Sequence, residues 1–278
     1  MVFNSYSKIN LSLSVNNKLK NGLHEIQSYF CLINLCDKIQ VSKTLKKKDK
    51  ILFKGPFARH IKISNNSISK LLKLLRKLNL TSSFYSVVVT KNIPVFGGLG
   101  GGTSNAAFLL KFLLKNRINE SLLNKAEKLI GSDFKIFFYK QGFLKNLKNI
   151  ASAKKNQKLY FLLAQPNVKC STYEIYSKVK KYSKKKKLNF YKINTKSNFI
   201  DYIFNNKNEL QSIVEEKYPI VKKLLTDISF ERGCYFSRMS GSGSVCYGLF
   251  NNERAVKKAL IKIKTKYPKF WFSTAKTV

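Results

Sequence analysis

Acidic side chains are scarce in this chain. Against 53 Lys and Arg stand only 14 Asp and Glu among 278 residues, for a formal net charge of +39. Five of the acids are aspartates (Asp37, Asp49, Asp133, Asp201 and Asp227), so any mechanism that needs an aspartate must take one of these. Histidine is limited to His24 and His60. The five cysteines, Cys31, Cys36, Cys170, Cys234 and Cys246, contain no C-x-x-C pair. That excludes the common zinc spacings and fits a reducing compartment. No run of eighteen apolar residues exists, so no transmembrane helix and no membrane partner are expected. Met1–Val15 alternates polar and apolar residues and lacks the apolar centre of a signal peptide, and a cytoplasmic location is expected.

A strongly basic balance ordinarily points to nucleic acid. Here arginine is rare: Arg59, Arg76, Arg117, Arg232, Arg238 and Arg254 leave 47 lysines. Arg is the residue whose planar fork grips phosphate and reads guanine. The lysines run along the whole chain, and the two local clusters, Lys46–Lys48 and Lys184–Lys187, read as loops. Asn, Ile, Phe and Tyr are abundant as well, the pattern of an A+T-biased coding sequence. No helix-turn-helix or aromatic RNA-binding stretch accompanies the charge. The expectation is no stable nucleic-acid partner. Apolar residues make up 44% of the chain, enough for a packed core and too many for a disordered polycation.

Ile9–Val15 alternates strictly, which predicts a half-buried strand whose polar face carries Lys8, Asn10, Ser12 and Ser14 together. Asn16–Gly22 reads as a turn, and Ile26–Val41 as a second β-rich stretch ending in a Lys-rich loop over 43–50. Ile68, Leu71, Leu72, Leu75 and Leu78 predict an amphipathic helix over 67–79. A strand at Tyr85–Thr90 leads into a glycine cluster and a second helix through Ala106, Leu109, Leu110, Leu113 and Leu114. A third helix over 121–130 ends at Gly131, read as a C′ glycine. The Lys/Asn-rich stretch 145–158 is the expected domain boundary. Beyond it the pattern predicts a strand at Leu159–Ala164 and helices near 172–181, 207–217 and 219–226. Strands near 234–239 and 244–250, a helix over 252–266 and a last strand near 270–275 follow. The class is α+β in two parts.

The strongest local signal is the run from Pro94 to Ala107, which contains Gly97-Gly98-Leu99-Gly100-Gly101-Gly102-Thr103-Ser104. Five glycines free the backbone to turn its N–H groups toward one point, and the start of a helix adds its dipole, so the run suits phosphate. A flexible strand-to-helix turn is the plainer alternative. The residue after Gly102 is Thr, so the run is not a Walker A loop, and it does not fit G-x-G-x-x-G. Ser240-Gly241-Ser242-Gly243-Ser244 reads either as a hairpin turn or as a second backbone closing on the same ligand. Taken alone, Asp133 in Gly131-Ser132-Asp133-Phe134 reads as a helix cap, Asp37 and Asp227 as turn or cap residues, and His24 as a structural histidine.

These motifs together resemble the GHMP kinase superfamily, and within it the cytidyl-methylerythritol kinases. Ser7-Lys8-Ile9-Asn10-Leu11 with Gly22-Leu23-His24-Glu25-Ile26 is similar to that branch's opening motif. Ile93–Ala107 is similar to its ATP loop, Met239–Ser244 to its late Met-Ser-Gly-Ser-Gly-Ser motif, and Gly131-Ser132-Asp133 with Phe137-Phe138 to a fourth. Asn206, Glu209-Leu210 and Tyr218-Pro219 echo a weaker C-terminal pattern. Leu23 stands where the family has a Tyr that stacks on cytosine, so base stacking falls to Tyr176. Thr103 replaces a serine and Lys135 a proline.

The resemblance implies a two-domain fold, an N-terminal ribosomal protein S5 domain 2-like domain over 1–152 that binds ATP and a C-terminal ferredoxin-like α/β sandwich over 153–278. It implies phosphoryl transfer from ATP to the 2-hydroxyl of a methylerythritol unit in a small molecule bearing a cytidine diphosphate group, a step of the non-mevalonate isoprenoid route. By the same resemblance Asp133 accepts the hydroxyl proton and Lys8 orients the reacting groups. Pro94, Gly97, Gly98, Leu99, Gly100, Gly101, Gly102, Thr103 and Ser104 hold the phosphates, with Asn66 and Lys91 beside the adenine. Asn10, His24, Thr172, Tyr176, Ser240 and Gly241 hold the substrate. Mg²⁺ arrives with ATP, within reach of Thr103 or Ser104, and no side-chain metal cluster is expected. The chain is expected as a monomer or homodimer. A homoserine- or mevalonate-type kinase is the alternative enzyme, and a basic nucleic-acid binder on a relic kinase fold the alternative of another class.

Overall fold

Period-two burial is cleanest in strand β5, Phe84–Thr90, where Tyr85, Val87 and Val89 point inward between half-exposed neighbours. The structure, a computed structural model, describes residues 1–61, 65–188 and 193–278. It divides into two compact units, each assembled from separate stretches of chain. Unit 1 comprises Met1–Ser7, Leu35–Val95 and Gly100–Phe138; unit 2 comprises Lys8–Asn34, Phe96–Leu99 and Tyr139–Val278. The chain therefore changes unit inside strand β1 (Val2–Asn10), inside the long strand β3 (His24–Thr44) and within the glycine loop.

In unit 1, β5 pairs antiparallel with the second half of β3, Lys38–Thr44, and parallel with β4 (Lys50–Lys54). Helices α1 (Ser67–Lys77), α2 (Gly101–Leu114) and α3 (Glu120–Ile130) complete it. The apolar stripe of α1, namely Ile68, Leu71, Leu72 and Leu75, is fully buried as its spacing requires, and Asn66 caps the helix by accepting from the Ser69 N–H at 3.0 Å. Helix α3 ends at Gly131, whose φ of 162° is extended rather than left-handed. It is a C-cap, and the C′ reading is corrected: the chain leaves the helix straight toward Asp133.

In unit 2, the first part of β3 pairs with β2 (Ser14–Lys18) and β6 (Gln141–Leu144), and β6 pairs with β7 (Ile150–Ser152). A separate antiparallel sheet runs in the order β11 (Trp271–Lys276), β8 (Tyr160–Gln165), β10 (Cys246–Phe250), β9 (Cys234–Met239). Helices α7 (Pro219–Ser229) and α8 (Glu253–Lys266) cover one face, where Val221, Leu224, Ile228, Val256, Ala259 and Ile263 pack on Leu162, Ala164 and Cys246. On the other, the Phe161 and Phe236 rings meet Tyr247 edge-on. Because β8 and β10 are covered on both sides, they read as continuous apolar runs. Shorter helices α4 (Thr172–Ser177), α5 (Lys196–Asn205) and α6 (Gln211–Lys217) lie in the same unit.

Ile9–Val15 is not one half-buried strand. It covers the end of β1, a break at 11–13 and the start of β2, and all seven residues are buried. Their polar side chains alternate because they meet other polar groups inside the protein, not water: Ser12 Oγ accepts from the Tyr29 N–H and Asn10 donates to Ser28 Oγ. The turn expected over Asn16–Gly22 begins only after Lys18. Helix α6 starts at Gln211, four residues later than expected; before it Asn208 accepts from the Leu210 N–H at 3.0 Å and donates to Met239 O and Gly241 O. Strands β4, β6 and β7 and helix α5 were not expected from the sequence. No helix among the described residues is long and apolar enough to cross a membrane.

Candidate active site

In unit 1 the site starts from helix α2. Its N-cap, Gly100, has φ 69°, a conformation that a side chain would strain, and no side chain caps the helix. The first intrahelical bond is Ser104 N–H to Gly100 O at 2.8 Å, and among the described residues the N–H groups of Gly101, Gly102 and Thr103 meet no protein acceptor. Three unclaimed donors on the positive end of a fourteen-residue helix form an anion site. The residues therefore fit a phosphate.

The side chains around this helix start sort themselves. Ser104 is fully buried, and its hydroxyl donates to Tyr6 O at 2.5 Å and meets Ser5 Oγ at 2.7 Å. Thr103 is half-buried and lies against Gly131, where a Cβ would stand 3.3 Å from Thr103 Oγ1 and 3.4 Å from Asp133 Oδ1. A glycine at 131 thus leaves room for a hydroxyl on the phosphate helix and the Asp133 carboxylate to approach the same spot. Glu127, one turn back on α3, is pushed up to about 7 by burial, with Lys135 opposing and Glu120 and Asp133 adding to the rise.

Asn66 and Lys91 come to the same helix start by different routes. Asn66 caps α1, and its neighbour Ser67 donates to Gly102 O at 2.5 Å. The Lys91 ammonium sits beside Gly101, 3.3 Å from where its Cβ would be, and is only 2% exposed. Its partner is Asp37, which also accepts from the N–H groups of Asn92 at 2.8 Å and Ile93 at 2.9 Å. Asp37 lies within β3, so its turn-or-cap reading is replaced: it is a buried carboxylate that fixes Lys91 and the approach to Pro94.

In unit 2, Phe96–Leu99 is held between the first strand and the loop 240–244. Lys8 donates its backbone N–H to Leu99 O at 3.1 Å and its ammonium to Gly98 O at 2.7 Å and to Asn10 Oδ1. Ser240 Oγ bonds Gly98 O at 3.2 Å and accepts from Asn10 N–H at 3.3 Å. Ser244 and Val245 donate to Phe96 O and Gly97 O. The structure thus brings Lys8, Asn10, Gly97, Gly98, Leu99, Ser240 and Gly241 into one cluster. The two glycine loops meet there, and 240–245 is at the same time the hairpin turn between β9 and β10, with Gly241 and Gly243 at positive φ. Asn208, which the sequence reading missed, ties the loop down by donating to Met239 O and Gly241 O, both at 2.8 Å.

A second cluster in unit 2 is aromatic. His24 and Tyr176 lie with ring centroids 5.1 Å apart at 34°, and Tyr182 reaches the same imidazole at 6.3 Å and 31°. Burial, reinforced by Lys18, lowers the His24 pKa, which favours a neutral ring with one donor and one acceptor nitrogen. Helix α4 joins the two clusters. Thr172, which hydrogen-bonds Ser242 Oγ at 3.0 Å, and Tyr176 are one turn apart and share a helix face. Among the described residues there is no group of three or more His, Cys, Asp or Glu that could hold a metal.

Comparison with known proteins bears on the family and the fold. The model "GHMP kinases N terminal domain" matches residues 66–133, a stretch that runs from Asn66 through the phosphate helix to Asp133, and "GHMP kinases C terminal" matches 190–269. A 4-diphosphocytidyl-2-C-methyl-D-erythritol kinase of Pelagibacter ubique is 37% identical over 99% of this chain and 98% of its own. The enzyme of that name from Azobacteroides pseudotrichonymphae is 33% identical over 88% of this chain and 91% of its own. A crystal structure of 4-(cytidine 5'-diphospho)-2C-methyl-D-erythritol kinase superposes with a TM-score of 0.75 over 99% of both chains at 21% identity. Homoserine kinase from Cytophaga hutchinsonii gives 0.69 over 100% of this chain and 93% of its own at 16% identity, so both structures speak to the fold. Matched by family models over residues 66–133 and 190–269, and by a 37%-identical relative along nearly its whole length, the chain belongs to the GHMP kinases.

Proposed function

We propose that this chain is the ATP-dependent kinase of 4-diphosphocytidyl-2-C-methyl-D-erythritol, phosphorylating its 2-hydroxyl in the non-mevalonate route to isoprenoid precursors. The observation that carries the proposal within the chain is the start of α2: unclaimed N–H donors, Thr103 and the Asp133 carboxylate gather at one place in unit 1. The names of its relatives supply the substrate. When bound, ATP supplies the phosphoryl group that is transferred. Phosphoryl transfer asks mainly for positioning and for stabilisation of charge on the moving group. The backbone donors of Gly101, Gly102 and Thr103 and the helix dipole provide the second, and Asp133 accepts the proton of the substrate hydroxyl. Lys8, fixed by Gly98 O and Asn10, orients the reacting oxygen.

Mg²⁺ accompanies the nucleotide in this proposal, and Thr103 rather than Ser104 is the hydroxyl in reach, since Ser104 is buried against Tyr6. Asn66 and Lys91 border the adenine, Lys91 through the position it gives the backbone at Gly101. Asn10, His24, Thr172, Tyr176, Ser240 and Gly241 hold the cytidyl substrate, and the ATP-binding and substrate-completing domains are 1–152 and 153–278. A cytoplasmic location accords with free thiols at all five cysteines.

Steady-state assays of Asp133→Asn and Lys8→Ala against cytidyl-methylerythritol, homoserine and mevalonate test the proposal. We expect the wild type to turn over the cytidyl substrate selectively, and Asp133→Asn to lose about a hundredfold or more in kcat while remaining folded. Wild-type turnover in Asp133→Asn refutes the mechanism, and preference for homoserine or mevalonate refutes the substrate.

A further inference from the structure

Residues 178–188 hold seven lysines and, from 179 on, form neither helix nor strand. Composition alone makes them a solvated loop, yet the segment is pinned along its length to the β2–β3 hairpin. Ser183 donates its N–H to Val15 O and accepts from the Asn16 side chain at its own carbonyl, both at 2.9 Å, and its hydroxyl bonds Glu209 at 2.5 Å. Lys186 makes both of its backbone bonds to the buried Gln27 amide, N–H to Oε1 at 2.7 Å and carbonyl from Nε2 at 2.9 Å. Lys185 pairs with Glu25 at 2.8 Å. A side-chain amide standing in for a strand partner, and anchors directly beside Tyr182, describe a strap built to a position.

What the strap delivers is the Tyr182 ring. It remains 43% exposed although it lies against the half-buried His24, and it is tilted by a similar angle to Tyr176 on the same imidazole. Leu23, next to His24, points 47% of its surface to solvent and adds no ring. We propose that Tyr182 is a specificity-determining residue: its ring and that of Tyr176 flank His24 and offer two aromatic surfaces to the base of a cytidine diphosphate, with the strap lysines placing positive charge near the diphosphate. This rests on the function proposed above and assigns a role to a segment that the motifs pass over. Aromatic faces bind a base by stacking, and the tethers mean that little ordering entropy is lost on binding.

The test compares wild type, Tyr182→Ala and Tyr182→Phe in the full-length protein. Two readouts are used, equilibrium binding of cytidine diphosphate and steady-state kinetics with the cytidyl substrate. We expect Tyr182→Ala to raise both the Kd for cytidine diphosphate and the substrate KM about fivefold or more, the lower end for one base stack, with kcat within about twofold and the KM for ATP unmoved. Tyr182→Phe, which keeps the ring, should restore both. Binding and KM unchanged in Tyr182→Ala overturns the role of Tyr182 and leaves the kinase assignment standing. A fall in kcat with unchanged KM overturns it as well. A wild type that neither binds cytidine diphosphate nor phosphorylates the cytidyl substrate overturns the functional reading and this inference with it.

Discussion

Replacing Gly98 by alanine tests whether the meeting of the two glycine loops is as tight as the structure has it. A Cβ on Gly98 would stand 2.1 Å from the Ser240 carbonyl oxygen, 3.0 Å from its carbon and 3.3 Å from Gly243 N. All three are backbone atoms, so no flexible side chain can yield, and one loop must move by roughly an ångström. Gly98 also has φ +70°. The left-handed conformation costs alanine about 1–2 kcal/mol, and forced overpacking about 1–3 kcal/mol more, for a total of about 2–5 kcal/mol. Gly22 is the matched control: φ is +81° and a Cβ there meets nothing within 4 Å, so Gly22→Ala carries the backbone cost alone, about 1–2 kcal/mol.

Thermal unfolding of the two variants separates strain from contact. For a chain of this size, about 2–5 kcal/mol corresponds to a drop in Tm of roughly 5–15 °C for Gly98→Ala. Activity should fall further than stability, because Gly98 O accepts from the Lys8 ammonium and from Ser240 Oγ. A Gly98→Ala protein that melts with Gly22→Ala and keeps its kcat would refute the close approach of loops 96–99 and 240–243, and with it the cluster around Lys8.

Two further outcomes follow from buried charges. Glu127, held up near 7 against an ordinary 4.5, keeps its proton in the folded state through that window, so it lowers stability as pH rises from about 4.5 to 7. Denaturant midpoints should therefore show Glu127→Gln equal to wild type below about pH 4.5 and more stable than it above about pH 7; a difference that is flat with pH contradicts the burial of this carboxyl. Asp37→Asn strands the Lys91 ammonium, 2% exposed, without its carboxylate and should cost about 3–5 kcal/mol in chemical denaturation, with most of the loss recovered by adding Lys91→Met. A cost under about 1 kcal/mol for Asp37→Asn would show that the pair is not what holds the strand-to-loop junction.

How much of this was legible in the sequence depended on whether the residue's job was local. The stripe of α1, the period of β5 and the glycine-bounded start of α2 each follow from neighbours along the chain, and the sequence reading finds them. Strand β6 escapes it because its pairing partner is β3, more than a hundred residues earlier, and β7, which pairs with β6, because Asn146–Asn149 gives their hairpin a turn that reads as linker. Helix α5 is masked by Lys and Asn around just three buried apolar residues, Phe199, Ile200 and Ile203. Ile9–Val15 misleads in the opposite sense: alternation reports two chemical environments, and here the polar one is an internal network. Tyr182 and Asn208 carry no motif at all. What marks them is what they touch: Tyr182 meets His24 far back in the chain, and Asn208 holds two carbonyls 31 and 33 residues on, and neither contact leaves a trace in local pattern.

The shortage of aspartate can now be pressed further than counting allows. Three of the five have structural occupations: Asp37 takes Lys91 and two backbone N–H groups, Asp49 takes Arg76 and the Tyr85 N–H, and Asp227 takes Lys266 and Tyr267. Removing any of these carboxylates leaves its partners unsatisfied, so each is already committed to the fold. Asp201 lies exposed within α5. The Asp133 side chain is half-buried, has no hydrogen bond or ion pair among the described residues of its own unit, and stands beside Thr103 Oγ1 at the start of α2. On the function proposed above, a general base must be close to the reacting group and not already committed, and Asp133 is the aspartate we propose for that role.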